Sequence, residues 1–83
     1  MESSTVFLSV VGSNIRKWRL MKEIKQETLA SEIGVSKATL SLIENGKADP
    51  SLSRIHRIAA VLEVPEEKLL FSDPGLLLKL AMG

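Results

Sequence analysis

QETLASEIGVSKATLSLIENGK, residues 26–47, is the stretch whose reading decides the fold. Two short apolar stripes, Leu29-Ala30-Ile33 and Leu40-Ile43, recur at helical spacing. They predict helices near 26–33 and 36–44 with only Gly34 and Val35 between them. A turn that short forces a large crossing angle, and Gly34 can enter the left-handed region without a Cβ clash. Ala30, four residues before it, lets the second helix approach closely. This is the logic of a helix-turn-helix. Geometry alone fits an unrelated two-helix corner in a small bundle equally well.

Outward from this pair, the same periodicity predicts three more helices. Val11, Ile15 and Trp18 mark one near 9–22; Leu52, Ile55, Ile58, Ala59 and Leu62 mark another near 52–62, and a short one follows near 65–71. Their starts have local causes. Ser36 and Ser51 can each accept from a free backbone N–H of a first turn, and Val35 with Leu40 makes a hydrophobic staple. Pro65 presets φ for the last helix, whose positive end suits Glu66 and Glu67. Before the second helix Lys25 stands where a capping oxygen is wanted, although Ile24 and Leu29 can still form a staple. Strand signals are weak, so the expected class is all-α, a compact five-helix bundle forming a single domain over residues 1–83.

Composition bounds the function. The 83 residues contain no cysteine, which removes disulfides and thiolate metal sites together. A domain of this size is marginal on its own core, so a homodimer would help it. No apolar run approaches the roughly 20 residues of a membrane span. Glu2 and the lack of a basic residue before the first apolar stretch argue against a secretory signal, and the expected location is cytoplasmic. The net charge of +1 hides an asymmetry: residues 12–57 hold nine Lys/Arg against five Asp/Glu, and residues 58–83 hold two against four. The basic excess offers itself to an anionic partner. No nucleophile–base pair and no Gly-rich phosphate loop stands out, so no catalytic residue, enzyme activity or cofactor is expected. His56 is the only histidine and has no clustered carboxylates or cysteines around it, so no metal site is assigned.

The residues carry a more specific signal. Gly12-x-x-Ile15-Arg16-x-Trp18-Arg19, Gln26-Glu27-x-Leu29-Ala30, Gly34-Val35-Ser36-x-x-Thr39-Leu40-Ser41-x-Ile43-Glu44-Asn45-Gly46-Lys47 and Pro50-Ser51 together resemble the Cro/lambda-repressor type of helix-turn-helix, the XRE family. The pattern continues through Ile58-Ala59-x-x-Leu62 to Leu69-Leu70, so the resemblance spans about residues 12–71. It implies a lambda-repressor-like DNA-binding core and a dimeric regulator, most often a repressor, that binds the major groove of double-stranded DNA. A minority of such proteins are antitoxins that grip a protein partner, a toxin, and regulate their own synthesis through DNA.

The resemblance also implies site roles. Arg19 and Glu44 form a structural ion pair joining the first helix to the end of the third. Gln26, Ser36, Thr39, Asn45 and Lys47 are expected phosphate contacts, with Arg16 and Lys17 solvated or of second rank. Base readout falls to Lys37, Ala38, Ser41 and Leu42. Here the sequence departs from better-known members, which often carry Gln, Asn or Arg at these places. Lys37 alone has a long donor, suited to guanine O6 and N7. Ala38 and Leu42 can offer only apolar contact, for example to a thymine methyl, and Leu42 can equally pack on a neighbouring side chain. Trp18 is most simply core.

The two ends are explained least. Thr5 to Val11 is β-branched and apolar, read either as a strand pairing across a dimer or as the start of the first helix. After the turn Ser72-Asp73-Pro74-Gly75 comes Leu76-Leu77-Leu78-Lys79-Leu80-Ala81-Met82. Residues 72–83 are therefore expected to be an apolar extension that packs on the core or, through a dimer contact, on a second copy.

Overall fold

In a computed structural model the described residues are 2–71, with side chains from Thr5 onward. Among them every regular element is helical: α1 (Glu2–Met21), α2 (Gln26–Ile33), α3 (Lys37–Glu44), α4 (Leu52–Leu62) and α5 (Glu67–Leu70). The long α1 packs across α3, α4 and α5, and α2 packs on α3 and α4. The residues that drew the helical stripes close the centre: Ile15, Leu29, Ile33, Leu40, Ile43, Ile58, Leu62 and Leu69 are all fully buried.

The turn between α2 and α3 forms as its sequence dictates. Gly34 sits at φ 75°, and the N–H groups of Gly34 and Val35 return to the carbonyls of Ser31 and Ala30. That closes the orphan carbonyls of α2 in a Schellman-type ending. Ser36 caps α3, its Oγ accepting from the Thr39 N–H at 3.0 Å. Ser51 caps α4 in the same way from the Arg54 N–H at 3.3 Å. Lys25 at the head of α2 supplies no side-chain cap. Val35 and Ile24 both pack against the core.

Two boundaries differ from the sequence reading. The first helix begins at Glu2 and not near residue 9, so the strand reading of Thr5–Val11 is overturned. Val11 is buried and, with Phe7, lines a shallow apolar groove shared with Pro50, Leu52, Ile55 and Leu70. That burial outweighs the few tenths of a kcal/mol by which each β-branched residue disfavours helix. The last helix is a single turn, Glu67–Leu70, and Pro65 lies outside it instead of at its first position. Its end is set by Asn14 of α1, which donates to the carbonyls of Leu69 and Phe71, both at 3.0 Å. Phe71 must turn extended, at φ −126°, to deliver its carbonyl there. Glu66 stands at the N-cap without a capping bond. Its carboxylate instead meets His56 Nδ1 on α4, an exposed contact of the kind that contributes little. The apolar extension expected over residues 72–83 lies outside the described residues.

Glycine is required where helices touch. A Cβ on Gly12 would stand 2.2 Å from the Ile43 carbonyl oxygen and 2.7 Å from that of Glu44. α1 therefore crosses the C-terminal end of α3 at a distance only glycine allows. Trp18 is half-buried against the core, as a packing residue should be, but its indole N–H finds no acceptor among the described residues. The Lys17 ammonium lies 5.4 Å from the centre of its ring, a cation–π distance.

Candidate nucleic-acid interface

α3 is held from behind and open in front. Leu40, Ile43 and Glu44 are buried, whereas Lys37, Ala38, Leu42 and Asn45 are exposed. At 100° per residue, Ala38, Leu42 and Asn45 share one side of the helix, opposite the buried side. Ser41 lies half-buried at the edge of this face. All four residues expected to read bases thus fall on the outward side or its margin.

The brace behind α3 is ionic. Glu44, 6% exposed, accepts from Arg19 Nε at 2.7 Å, from a terminal guanidinium nitrogen of Arg19 at 3.1 Å, and from Gln26 Nε2 at 3.0 Å. Arg19, 7% exposed, gives a further N–H to the Ile24 carbonyl at 3.0 Å. One carboxylate therefore joins α1, the head of α2 and the tail of α3. The pair expected from the sequence is present, and Gln26 completes it. One amide proton of Gln26 is thereby committed to Glu44.

Around this brace lies an open polar notch lined by Arg16, Arg19, Gln26, Ser41, Glu44 and Asn45. Since Glu44 is matched by Arg19, the unpaired charge at the notch belongs to Arg16. Among the described residues the only ion pairs are Arg19–Glu44 and His56–Glu66, which leaves Arg16, Lys37 and Lys47 without carboxylate partners. The absent cap on α2 adds to the same field: the backbone N–H groups of Gln26 and Glu27, at the positive end of the helix, have no acceptor among the described residues.

The short polar side chains are largely turned on each other. Ser36 Oγ donates to Thr39 Oγ1 at 2.9 Å, and Asn45 Nδ2 donates to the Ser41 carbonyl at 2.8 Å. The α3–α4 connection starts at Gly46, whose φ is +73°, and its N–H and that of Lys47 return to Ile43 and Leu42. A Cβ on Gly46 would lie 2.8 Å from Ser9 Cα of α1, so this turn, with exposed Lys47 beside it, is seated on α1. Ser51 has φ 65° and ψ 156°, a region nearly reserved for glycine. Its N–H bonds to Asp49 Oδ1 at 2.9 Å, which holds it there.

Asn14 was not singled out from the sequence, yet it fixes α5 to α1. Its signal was a polar residue inside the apolar stripe Val11, Ile15, Trp18.

The comparisons with known proteins agree with this geometry. The helix-turn-helix pattern (HTH_3) matches residues 15–69. The chain belongs to the helix-turn-helix family. Among relatives of this helix-turn-helix chain, the HTH-type transcriptional regulator RghRB of Bacillus subtilis is 41% identical over 64 residues, covering 76% of this chain and 46% of RghRB. An HTH-type transcriptional regulator of Methanocaldococcus jannaschii is 37% identical over 57 residues, covering 69% of this chain and 86% of the relative. The chain thus spans about half of one relative and most of the other. The crystal structure of the restriction-modification controller protein C.AhdI from Aeromonas hydrophila superposes with a TM-score of 0.73 at 29% identity, covering 78% of this chain and 94% of that one. The expected all-α helix-turn-helix architecture is the observed one.

Proposed function

We propose that this chain binds double-stranded DNA sequence-specifically as a homodimer and represses transcription, with α3 lying in the major groove. DNA-binding regulation of transcription is the activity of the family. The observation that carries the finer reading is the division of α3 into a buried, ion-braced side and an outward side free of packing duties. In this reading Lys37, Ala38, Ser41 and Leu42 meet base edges. Ser36, Thr39, Asn45, Lys47 and the head of α2 at Gln26 meet phosphates, where bare N–H groups suit an anion. Arg16 joins them across the notch. The core that does this work is residues 12–71, within a single domain, acting in the cytoplasm. No helix of the described residues is long and apolar enough to cross a membrane, and the mechanism needs neither a cofactor nor catalysis.

One reading head covers few base pairs, and two copies related by a two-fold axis reach half-sites about one helical turn apart. An apolar band supports pairing of copies: Val6, Phe7, Leu52 and Phe71 are 61%, 47%, 79% and 63% exposed, and Phe7 and Leu52 line the apolar groove. The same band favours the second reading, an antitoxin that holds a protein partner there and binds DNA secondarily.

Selection of random duplexes by the purified protein at about 150 mM salt, where phosphate attraction is weakened, tests the proposal. An inverted repeat with half-sites one turn apart is expected; no enrichment would favour the protein-partner reading. Lys37→Ala should cost about 1–3 kcal/mol at one base position of each half-site. Lys47→Ala should weaken all sequences alike and lower the salt slope by about one.

A further inference from the structure

We infer that the reading face of α3 recognises the C5-methyl group of pyrimidines, so that affinity for the operator depends on methylation at that atom, whether the base is thymine or 5-methylcytosine. The inference rests on the DNA-binding reading above and narrows what the face reads.

It follows from what the face has left to offer. Ala38 and Leu42 are one turn apart and 40° apart around the helix, so they form one ledge. Leu42 is 48% exposed, and neither it nor Ala38 is among the buried or core-packed residues. The neighbouring polar groups bond to one another along the exposed surface of α3. Thr39 Oγ1 faces Ser36 Oγ at 2.9 Å, and Asn45 Nδ2 bonds back to Ser41 O at 2.8 Å and Ser41 Oγ at 3.4 Å. Lys37, at the first position of α3, keeps a free long donor, but it stands to one side of the ledge. Ala38 and Leu42 thus present an apolar ledge bordered by Lys37 and Asn45.

A leucine pressed against a base edge gains only if it meets apolar surface. On the major-groove edges of the four bases one apolar group is presented, the C5-methyl of thymine. Methylation of cytosine puts the same group on the same ring atom. Burying one methyl is worth about a fourfold change in affinity, so two equivalent methyls in a dimer site give about sixteenfold.

The test uses the duplex recovered by selection. Each thymine of a half-site is replaced by deoxyuridine, which removes only the methyl, and binding is measured by fluorescence anisotropy. A loss of about fourfold is expected at one or two positions per half-site. At those positions, pairs changed to C·G are then compared with and without 5-methylcytosine, which should regain about fourfold. Leu42→Ala should bind the thymine and uracil duplexes alike while retaining the preference set by Lys37. Equal binding of thymine and uracil duplexes by the unaltered protein overturns the inference. Failure of 5-methylcytosine to restore affinity, or discrimination that persists in Leu42→Ala, overturns it as well. A protein that enriches no sequence at all fails at the earlier step and removes the DNA-binding reading itself.

Discussion

Removing Glu44 tests the brace on which α3 rests. Its side chain is 2% exposed and accepts three N–H bonds, two from the guanidinium of Arg19, whose side chain is 9% exposed. Glu44→Ala leaves Arg19 charged in a site almost closed to water, with only the Ile24 carbonyl still bonded to it. Losing one partner of a buried pair costs about 3–5 kcal/mol. A chain of 83 residues has a total stability of roughly 4–12 kcal/mol, so this one change removes a large share of it. Glu44→Gln keeps the shape and one acceptor but not the charge, and should cost roughly 1.5–3 kcal/mol, the worth of a hydrogen bond to a charged group. The double variant Arg19→Met with Glu44→Leu removes both charges and fills the space with apolar atoms, so it should lie within about 1 kcal/mol of the parent. Urea unfolding followed by far-UV circular dichroism orders the three variants, provided the denaturant slope stays constant. Two results would refute the reasoning. One is a loss below about 1 kcal/mol for Glu44→Ala; the other is a double variant as unstable as Glu44→Ala, which would show that charge compensation was never the issue.

Two further substitutions probe the contacts of α1. Gly12→Ala places a Cβ 2.2 Å from the Ile43 carbonyl oxygen; it should force α1 off α3 at a cost of about 3 kcal/mol and lower the melting temperature by more than about 10 °C in calorimetry. Asn14→Ala strands the carbonyls of Leu69 and Phe71; it should cost roughly 2–3 kcal/mol, and amide exchange should accelerate at Leu69 and Leu70 well before α2 or α3.

Much of this arrangement was legible in the sequence because it depends on local rules. Gly34 between two apolar stripes, Ser36 before Lys37 and Ser51 before Leu52 each act within a turn or two of chain. The ion pair of Arg19 and Glu44 was legible only through resemblance, since nothing local links residues 25 apart. What escaped was set by contacts between distant segments. The β-branched run from Thr5 to Val11 became helix because Val11 and Phe7 meet α4 and Leu70. The last helix shortened because Asn14 claims the carbonyls that end it. Gln26 looked like a free amide until the fold brought Glu44 within 3.0 Å of it.

The separation of duties on α3 has an evolutionary consequence. In the proposed DNA-binding reading eight residues carry both the fold and the address, yet Leu40, Ile43 and Glu44 serve the first while Lys37, Ala38 and Leu42 are free for the second. Substitutions at exposed positions without structural duties usually change stability by no more than about 0.5 kcal/mol. Selection for folding is then blind to positions 37, 38 and 42, whereas selection for a target is acute there. A duplicated copy of this chain can exchange one operator for another through two or three surface changes, without passing through an unfolded ancestor. Descendants of one such scaffold can drift apart in what they control long before they differ in shape.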